Sequence, residues 1–295
     1  MPRPTIRQLE YLITLENEQS FSKAAEYCNV TQSTLSAGIK DLETVLDQQL
    51  VNRMGRKINL TALGQEVAEQ ARSILTDVDN IVSKAKEQKN PLCSTIRLGV
   101  IPTIAPYILP DILPDLQTHY PSLELQIYED ISERLVEQIH KRQLEAAILA
   151  FPFETDGLEH HQLFEEEFHL ASPKDKLLPK SLSINDIKPE ELLLLEEGHC
   201  MRDHALAACE LQIPSRRKTF SATSLATLIQ MVGHGFGVTL LPDMVVKNAP
   251  MPSNIQITNF DTPKPKRTIG IVWNINAPQK RDLQQLYAHL KNAFN

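Results

Sequence analysis

Residues 62–89 carry the pattern that most restricts what this chain can fold into. Val67, Ala71, Ile74, Val78, Ile81 and Ala85 follow one another at intervals of 4, 3, 4, 3 and 4, with no proline in the stretch. This is a heptad seam, narrower than the apolar face of a helix lying on a globular core. A lone helix this exposed is marginal in water, so the spacing predicts one long helix that pairs with a second copy of the chain. Packing against its own domain is the alternative. The helix divides the chain into residues 1–61, a dimerisation linker at 62–90 and a larger region at 91–295.

Upstream, Thr5-x-x-Gln8 is a capping box that opens a helix through about Asn17, with Ile6, Leu9, Leu12 and Ile13 as its apolar positions. Ser22 begins a short helix containing Ala24 and Ala25. Asn29-Val30-Thr31 is a turn, and Thr31 is the expected N-cap of a helix that buries Leu35, Ile39, Leu42 and Leu46. Leu50–Arg53 and Lys57–Leu60 flank Met54-Gly55-Arg56, which reads as a small β-hairpin.

A helix, a turn and a second helix that starts Gln32-Ser33-Thr34-Leu35-Ser36 form a helix-turn-helix candidate. Gln32, Ser33, Thr34 and Ser36 stand at the end of the second helix that meets base edges in the major groove of double-stranded DNA. Lys40 is one turn on, within reach of a phosphate, and Arg53, Arg56 and Lys57 crowd the hairpin tip. The overall net charge of −7 argues against a uniformly basic nucleic-acid binder. Residues 1–62 hold seven basic and seven acidic side chains, so positive charge has to be concentrated at the hairpin. Polar helix starts are commonly caps and basic hairpins commonly just solvated. The order of helix, helix-turn-helix, basic hairpin and long helix is what favours DNA.

Beyond Asn90-Pro91, apolar runs alternate with helical patterns. Strands are expected at Thr95–Val100, Leu123–Tyr128, Ala146–Ala150, Phe168–Ala171, Leu192–Leu195, Val238–Leu241 and Thr268–Trp273. Helices are expected around Tyr107–His119, Ser132–Lys141, Cys200–Leu211 and Ser224–Gly233. This alternation predicts an α/β region with mostly parallel sheets. No stretch reaches the apolar length of a membrane span, and the N-terminus has no signal-peptide core, so a cytoplasmic location is the default expectation.

Cys200 and Cys209 stand nine positions apart. On one helix that is a rise of about 13.5 Å, with the sulfurs on roughly opposite faces. A disulfide needs Cα atoms within about 7 Å, so joining the pair requires the helix to unwind. Arg202, His199 and His204 favour a Cys200 thiolate, the reactive form. Inert core thiols are the plainer reading of such residues, and Cys28 and Cys93 are expected to be of that kind. A metal site from His199, Cys200, His204 and Cys209 is disfavoured, because one helix cannot gather them.

Several motifs carry a family resemblance. Phe21-Ser22-x-Ala24-Ala25, Thr31-Gln32-Ser33-Thr34-Leu35-Ser36, Ile39-x-x-Leu42-Glu43 and Arg53-x-x-Arg56-x-x-x-Leu60-Thr61-x-x-Gly64 resemble the signature of LysR-type transcriptional regulators. Ala222-Thr223-Ser224-Leu225 and Gly235-Phe236-Gly237-Val238-Thr239-Leu240-Leu241-Pro242 resemble that family's effector domain. The resemblance implies a winged helix-turn-helix, a long linker helix and a two-lobed α/β effector domain like periplasmic binding proteins. Lobe I would hold about 91–164 and 268–295, and lobe II about 165–267. It also implies dimers that pair into homotetramers, promoter DNA and RNA polymerase as partners, and no enzymatic activity. Two positions depart from the pattern. Ser33 stands where proline is usual, and Ala37-Gly38 replaces a larger polar pair.

Gly198-His199-Cys200-x-Arg202-Asp203, followed by Cys209, resembles the peroxide-sensing OxyR subgroup. That resemblance makes Cys200 the peroxidatic cysteine and Cys209 the resolving one, with hydrogen peroxide as effector and no cofactor or metal. His199, Arg202, Asp203, Thr103, Thr223 and Arg267 would line the peroxide pocket, as would Ser132, where threonine is usual. Trp273-Asn274-Ile275-Asn276 departs from the subgroup's usual segment. The rival readings are a LysR-type regulator that binds a small organic effector between its lobes, its cysteines incidental, and a thiol-dependent enzyme.

Overall fold

In the computed structural model, residues 3–52, 58–87, 92–179, 182–196, 201 and 222–294 are described. They form two compact units, one within residues 1–88 with 141–143 and the other within 89–140 and 144–295.

The first unit starts where its caps require. Thr5 accepts from the Gln8 amide while the Gln8 side chain accepts from the Thr5 amide, which opens α1 (Ile6–Glu18). The second helix, α2 (Phe21–Tyr27), is capped by Ser20 rather than started at Ser22, because the Ser20 hydroxyl takes the Lys23 amide. Asn29 turns the chain with a positive φ of 54°. Thr31 then caps α3 (Gln32–Leu46). Leu12, Leu15, Leu35, Ile39 and Leu42 are fully buried in one cluster, while Ile6 lies exposed. The hairpin is β1 (Val51–Asn52) against β2 (Asn59–Leu60), antiparallel, with Val51 opposite Leu60. Glu43 Oε1 accepts from the backbone amides of Leu50 and Val51, tying the hairpin base to α3.

Thr61 opens α4 (Ala62–Glu87), its hydroxyl accepting from the Gly64 amide. The predicted seam divides along this helix. Ala71 is buried in the core of the unit and Val67 packs against it. By contrast, Ile74 and Ile81 are 45% and 69% exposed. The first turns of the seam thus serve the helix's own domain, and the later ones leave apolar side chains uncovered.

The second unit is built on a mixed sheet in the order β4-β3-β5-β9-β6-β7, with β8 on β6. Its strands are β3 (Thr95–Val100), β4 (Glu124–Glu129), β5 (Ala146–Phe151), β6 (Leu158–Pro173), β7 (Thr239–Pro242), β8 (Ile255–Thr258) and β9 (Lys266–Asn274). Its helices are α5 (Ala105–His119), α6 (Ser132–His140), α7 (Leu225–Gly233), α8 (Asp243–Asn248) and α9 (Lys280–Ala293).

Among the described residues, only β3–β4 and β3–β5 are parallel pairs of strands, whereas β9 runs against β5 and β6, and β6 against β7 and β8. The expectation of mostly parallel sheets is corrected by this arrangement. Alternation of elements along a chain does not fix strand direction, and β9 returns after the β6–β8 excursion to complete the first part of the sheet. The strand expected at Leu192–Leu195 is reduced to isolated bridges, Leu192 to Val238 and Leu195 to Ala222.

β6 extends well beyond the predicted Phe168–Ala171. Its first part, Leu158–Glu167, pairs with β9, and its last residues pair with β7 and β8. That first part reads Leu-Glu-His-His-Gln-Leu-Phe-Glu-Glu-Glu, in which only Leu163 and Phe164 are consecutive apolar residues, too short a run to betray a strand. β6 and β9 run through the sequence positions at which the lobes were divided, with a register shift between Gln162 and Phe164. α9 is anchored by Asp282, whose buried carboxylate accepts from the Ser94 hydroxyl (2.8 Å) and the Leu92 amide (3.3 Å). Among the described residues, no helix is long and apolar enough to cross a membrane.

Candidate functional site

In the first unit, α3 presents Gln32, Ser33, Thr34 and Lys40 exposed, with Ser36 half-buried. Short-range bonds order this end of the helix. The Thr31 hydroxyl lies 2.9 Å from that of Ser33 and 2.8 Å from that of Thr34. The Ser22 hydroxyl donates to Oε1 of Gln32 (3.0 Å). That oxygen keeps a second lone pair and the amide its two N–H donors, the set needed for a bidentate bond to adenine.

Gly38 explains one departure from the family pattern. A Cβ there would meet the Tyr11 ring at 2.7 Å, so α1 approaches α3 too closely for a larger side chain. Arg53, Arg56 and Lys57 lie outside the described residues.

In the second unit, Thr103 and Ser132 occupy equivalent places. Val100 and Glu129 are paired across β3 and β4, and each hydroxyl residue stands three positions beyond its strand. Both therefore sit at the carboxyl edge of parallel strands, next to the first turns of α5 and α6. That is where α/β sheets bind polar ligands. Thr103 is held by Arg267 of β9, whose Nη1 donates to Oγ1 (3.2 Å) and whose Nη2 donates to the Thr103 carbonyl (3.3 Å). Ser132 is buried, and among the described residues its hydroxyl has no hydrogen-bond partner. A buried hydroxyl left unpaired in this way has capacity for a small polar ligand.

Arg267 has its own counter-charge. Its Nε donates to Oε1 of Glu166 at 2.7 Å, with both side chains almost fully removed from solvent. The second Glu166 oxygen accepts from the Met244 amide (3.1 Å), and the guanidinium carbon lies 5.8 Å from the centroid of the Phe168 ring. Glu166 escaped the reading of the sequence because Glu165-Glu166-Glu167 looks like a solvated acidic run. The signal lay in strand alternation. Glu165 and Glu167 point outward to Lys266 and Lys264, and Glu166 points inward.

Thr223 is exposed, one residue after the Ala222–Leu195 bridge and immediately before Ser224, the N-cap of α7. His199, Cys200, Arg202, Asp203 and Cys209 lie outside the described residues, though Met201 between them is buried in the core of the unit. Cys28 and Cys93 are free thiols, both partly buried.

Comparison with known proteins agrees with this organisation. Residues 6–65 match the family described as "Bacterial regulatory helix-turn-helix protein, lysR family", and residues 89–295 match the "LysR substrate binding domain". The HTH-type transcriptional regulator EstR of Acinetobacter baylyi is 36% identical over 290 residues, covering 98% of this chain and 96% of its own length. A hydrogen peroxide-inducible genes activator of Dickeya chrysanthemi is 36% identical over 283 residues, covering 95% of this chain and 93% of its own. Among solved structures, a full-length OxyR from Pseudomonas aeruginosa with one cysteine changed to aspartate superposes with a TM-score of 0.79 at 33% identity. That match covers 99% of this chain and 96% of the other. The likeness runs through both units, from the helix-turn-helix to the sheet edge that carries Thr103, and the chain belongs to the LysR-type family of transcriptional regulators, similar to members named OxyR.

Proposed function

We propose that this regulator senses hydrogen peroxide through Cys200, with Cys209 as the resolving thiol. The observation that carries the reading is the buried hydroxyl of Ser132, unpaired among the described residues, at the same sheet edge as Thr103, itself fixed by the Arg267–Glu166 pair. Relatives named as peroxide-inducible gene activators support the choice of effector.

The chemistry balances in two steps. The Cys200 thiolate attacks one peroxide oxygen, the O–O bond breaks, and the products are a sulfenic acid and hydroxide. The Cys209 thiol then attacks the sulfenic sulfur, forming the disulfide and releasing water. A helix between the two cysteines would have to unwind for this bond to form. The rearranged effector unit would alter the assembly of a homotetramer built from dimers joined along residues 62–90. Uncovered Ile74 and Ile81 suit that pairing. In this reading residues 1–61 bind promoter DNA in the cytoplasm and the complex acts on RNA polymerase. Residues 91–295 form the effector domain, its lobes meeting where β6 and β9 are continuous.

The test is peptide mass spectrometry after substoichiometric peroxide, beside a promoter reporter. A Cys200–Cys209 cross-linked peptide is expected, and Cys200→Ser should abolish the transcriptional response. Ser132→Ala should slow Cys200 oxidation several-fold without lowering stability. A response that persists in Cys200→Ser would overturn the reading and leave the alternative of a small organic effector bound between the lobes.

A further inference from the structure

The outer ends of α5 and α9 bring together three side chains that regulation as described above does not use. Asp115 and His119 are four residues apart on α5, so they share one face of the helix. His289, 174 residues after Asp115, projects from α9 to the same place. Its Nε2 lies 2.7 Å from Oδ2 of Asp115. Nδ1 of His119 lies 3.2 Å from the other oxygen of that carboxylate. One donor atom from each residue falls within 4.8 Å of the other two. Zinc bonds of about 2.0–2.1 Å in tetrahedral geometry set ligand atoms roughly 3.3 Å apart, so closure on an ion needs only small side-chain shifts.

The surroundings favour an ordered site. His289 is mostly buried, and the Tyr120 ring meets it edge-on with centroids 5.2 Å apart, which fixes the plane of the imidazole. The rings of His119 and His289 are also 5.2 Å apart. A structural carboxylate–imidazole bond needs one histidine. Here two, on different helices, turn ring nitrogens toward one carboxylate. His119 Nδ1 also lies 2.9 Å from the Asp115 carbonyl oxygen. Metal binding would replace that contact and place the imidazole proton on Nε2.

We infer that Asp115, His119 and His289 form a three-ligand site for a borderline divalent cation of the zinc class. Two imidazoles and one carboxylate suit zinc better than magnesium or calcium, which prefer all-oxygen sets. The fourth position faces solvent, and the bound ion would staple α5 to the C-terminal helix. This inference does not depend on peroxide sensing.

Cobalt(II) titration of the full-length reduced protein tests it, because cobalt takes zinc geometry and reports its ligands by absorption. The expected result is one saturable site per chain with the visible bands of nitrogen and oxygen ligation and no thiolate charge-transfer band. Zinc should displace the cobalt. His119→Gln and His289→Gln should each weaken binding at least tenfold while leaving the metal-free melting curve close to wild type. His119 is exposed, so its variant keeps the test sound if His289→Gln unfolds. Binding unchanged in His119→Gln, absorption from thiolate ligation alone, or no saturable binding would each overturn the assignment.

Discussion

The DNA-facing unit and the Thr103–Arg267 centre are held together at very different ranges along the chain. In the first, many of the bonds that set geometry join near neighbours, as Thr31 to Thr34, Glu43 to Leu50 and Val51, and Thr61 to Gly64, beside the longer Arg72–Glu16 pair at the domain surface. In the second, Arg267 reaches Glu166 and Thr103, 101 and 164 residues away. A local bond forms as soon as its turn forms. A distant buried ion pair forms only once the sheet has closed, and each charge then depends on its partner because neither reaches water. The first region should therefore lose stability in small, separable steps, and the second should fail abruptly when one partner is removed.

The strongest way to break that contrast is Glu166→Gln. It leaves the Arg267 guanidinium buried without its counter-charge and sets an amide donor against one of two N–H groups, that of Met244 or that of Arg267 Nε. A loss of about 3–5 kcal/mol is expected in urea unfolding of the effector unit. Replacing both partners by apolar residues, Glu166→Leu with Arg267→Met, should cost less than the single change. Equal or greater loss in the double variant would show that the pair does not act as a unit.

Next in size is Gly64→Ala. A Cβ at this position would lie 2.1 Å from the Leu50 carbonyl oxygen, a backbone atom that cannot swing away. About 1–3 kcal/mol should be lost from the first unit, with weaker operator binding in a gel-shift titration and an unchanged effector unit. Thr31→Ala sharpens the local side of the comparison. It removes one cap and loosens Ser33 and Thr34, and it should cost about 1 kcal/mol by thermal unfolding.

The smallest effect comes from a surface pair and depends on pH. Burial raises the Asp243 carboxyl, but the bonds from Lys247 and His169 outweigh it, so the group ionises below the ordinary aspartate value. Its folded-state value lies below its unfolded one. The stabilisation is therefore complete above the unfolded value and disappears as pH falls through the folded one. Asp243→Asn should lower stability by less than about 1 kcal/mol near neutrality, since Lys247 is largely exposed. The gap from wild type in urea midpoint should shrink as the pH is lowered to about 3.

Legibility in the sequence follows the same divide. The caps at Thr5 and Thr31, the turn at Asn29 and the burial of Leu35, Ile39 and Leu42 were readable, because each depends on residues within a turn or two, although α2 is capped at Ser20, two residues before the Ser22 expected to begin it. The seam of α4 was readable as a period but not as a division of labour. Nothing in the spacing of Val67, Ala71, Ile74 and Ile81 says which members the domain itself covers. β6 was cut short because its solvent-facing half is polar. Glu166 stayed hidden because an acidic run betrays its inward member only once the strand's faces are known.

The amino-acid sequence by itself determined the helix-turn-helix, the long helix that follows it and the family to which the chain belongs. These rest on periodicity, capping and short motifs, which local chemistry enforces. Only the tertiary structure decided that β9 runs antiparallel beside β5, that Glu166 rather than a neighbour compensates Arg267, and that His289 meets Asp115. Each joins residues far apart in the chain. Such meetings depend on strand direction and helix docking, which are settled by the packing of the whole unit and leave no mark on the local pattern.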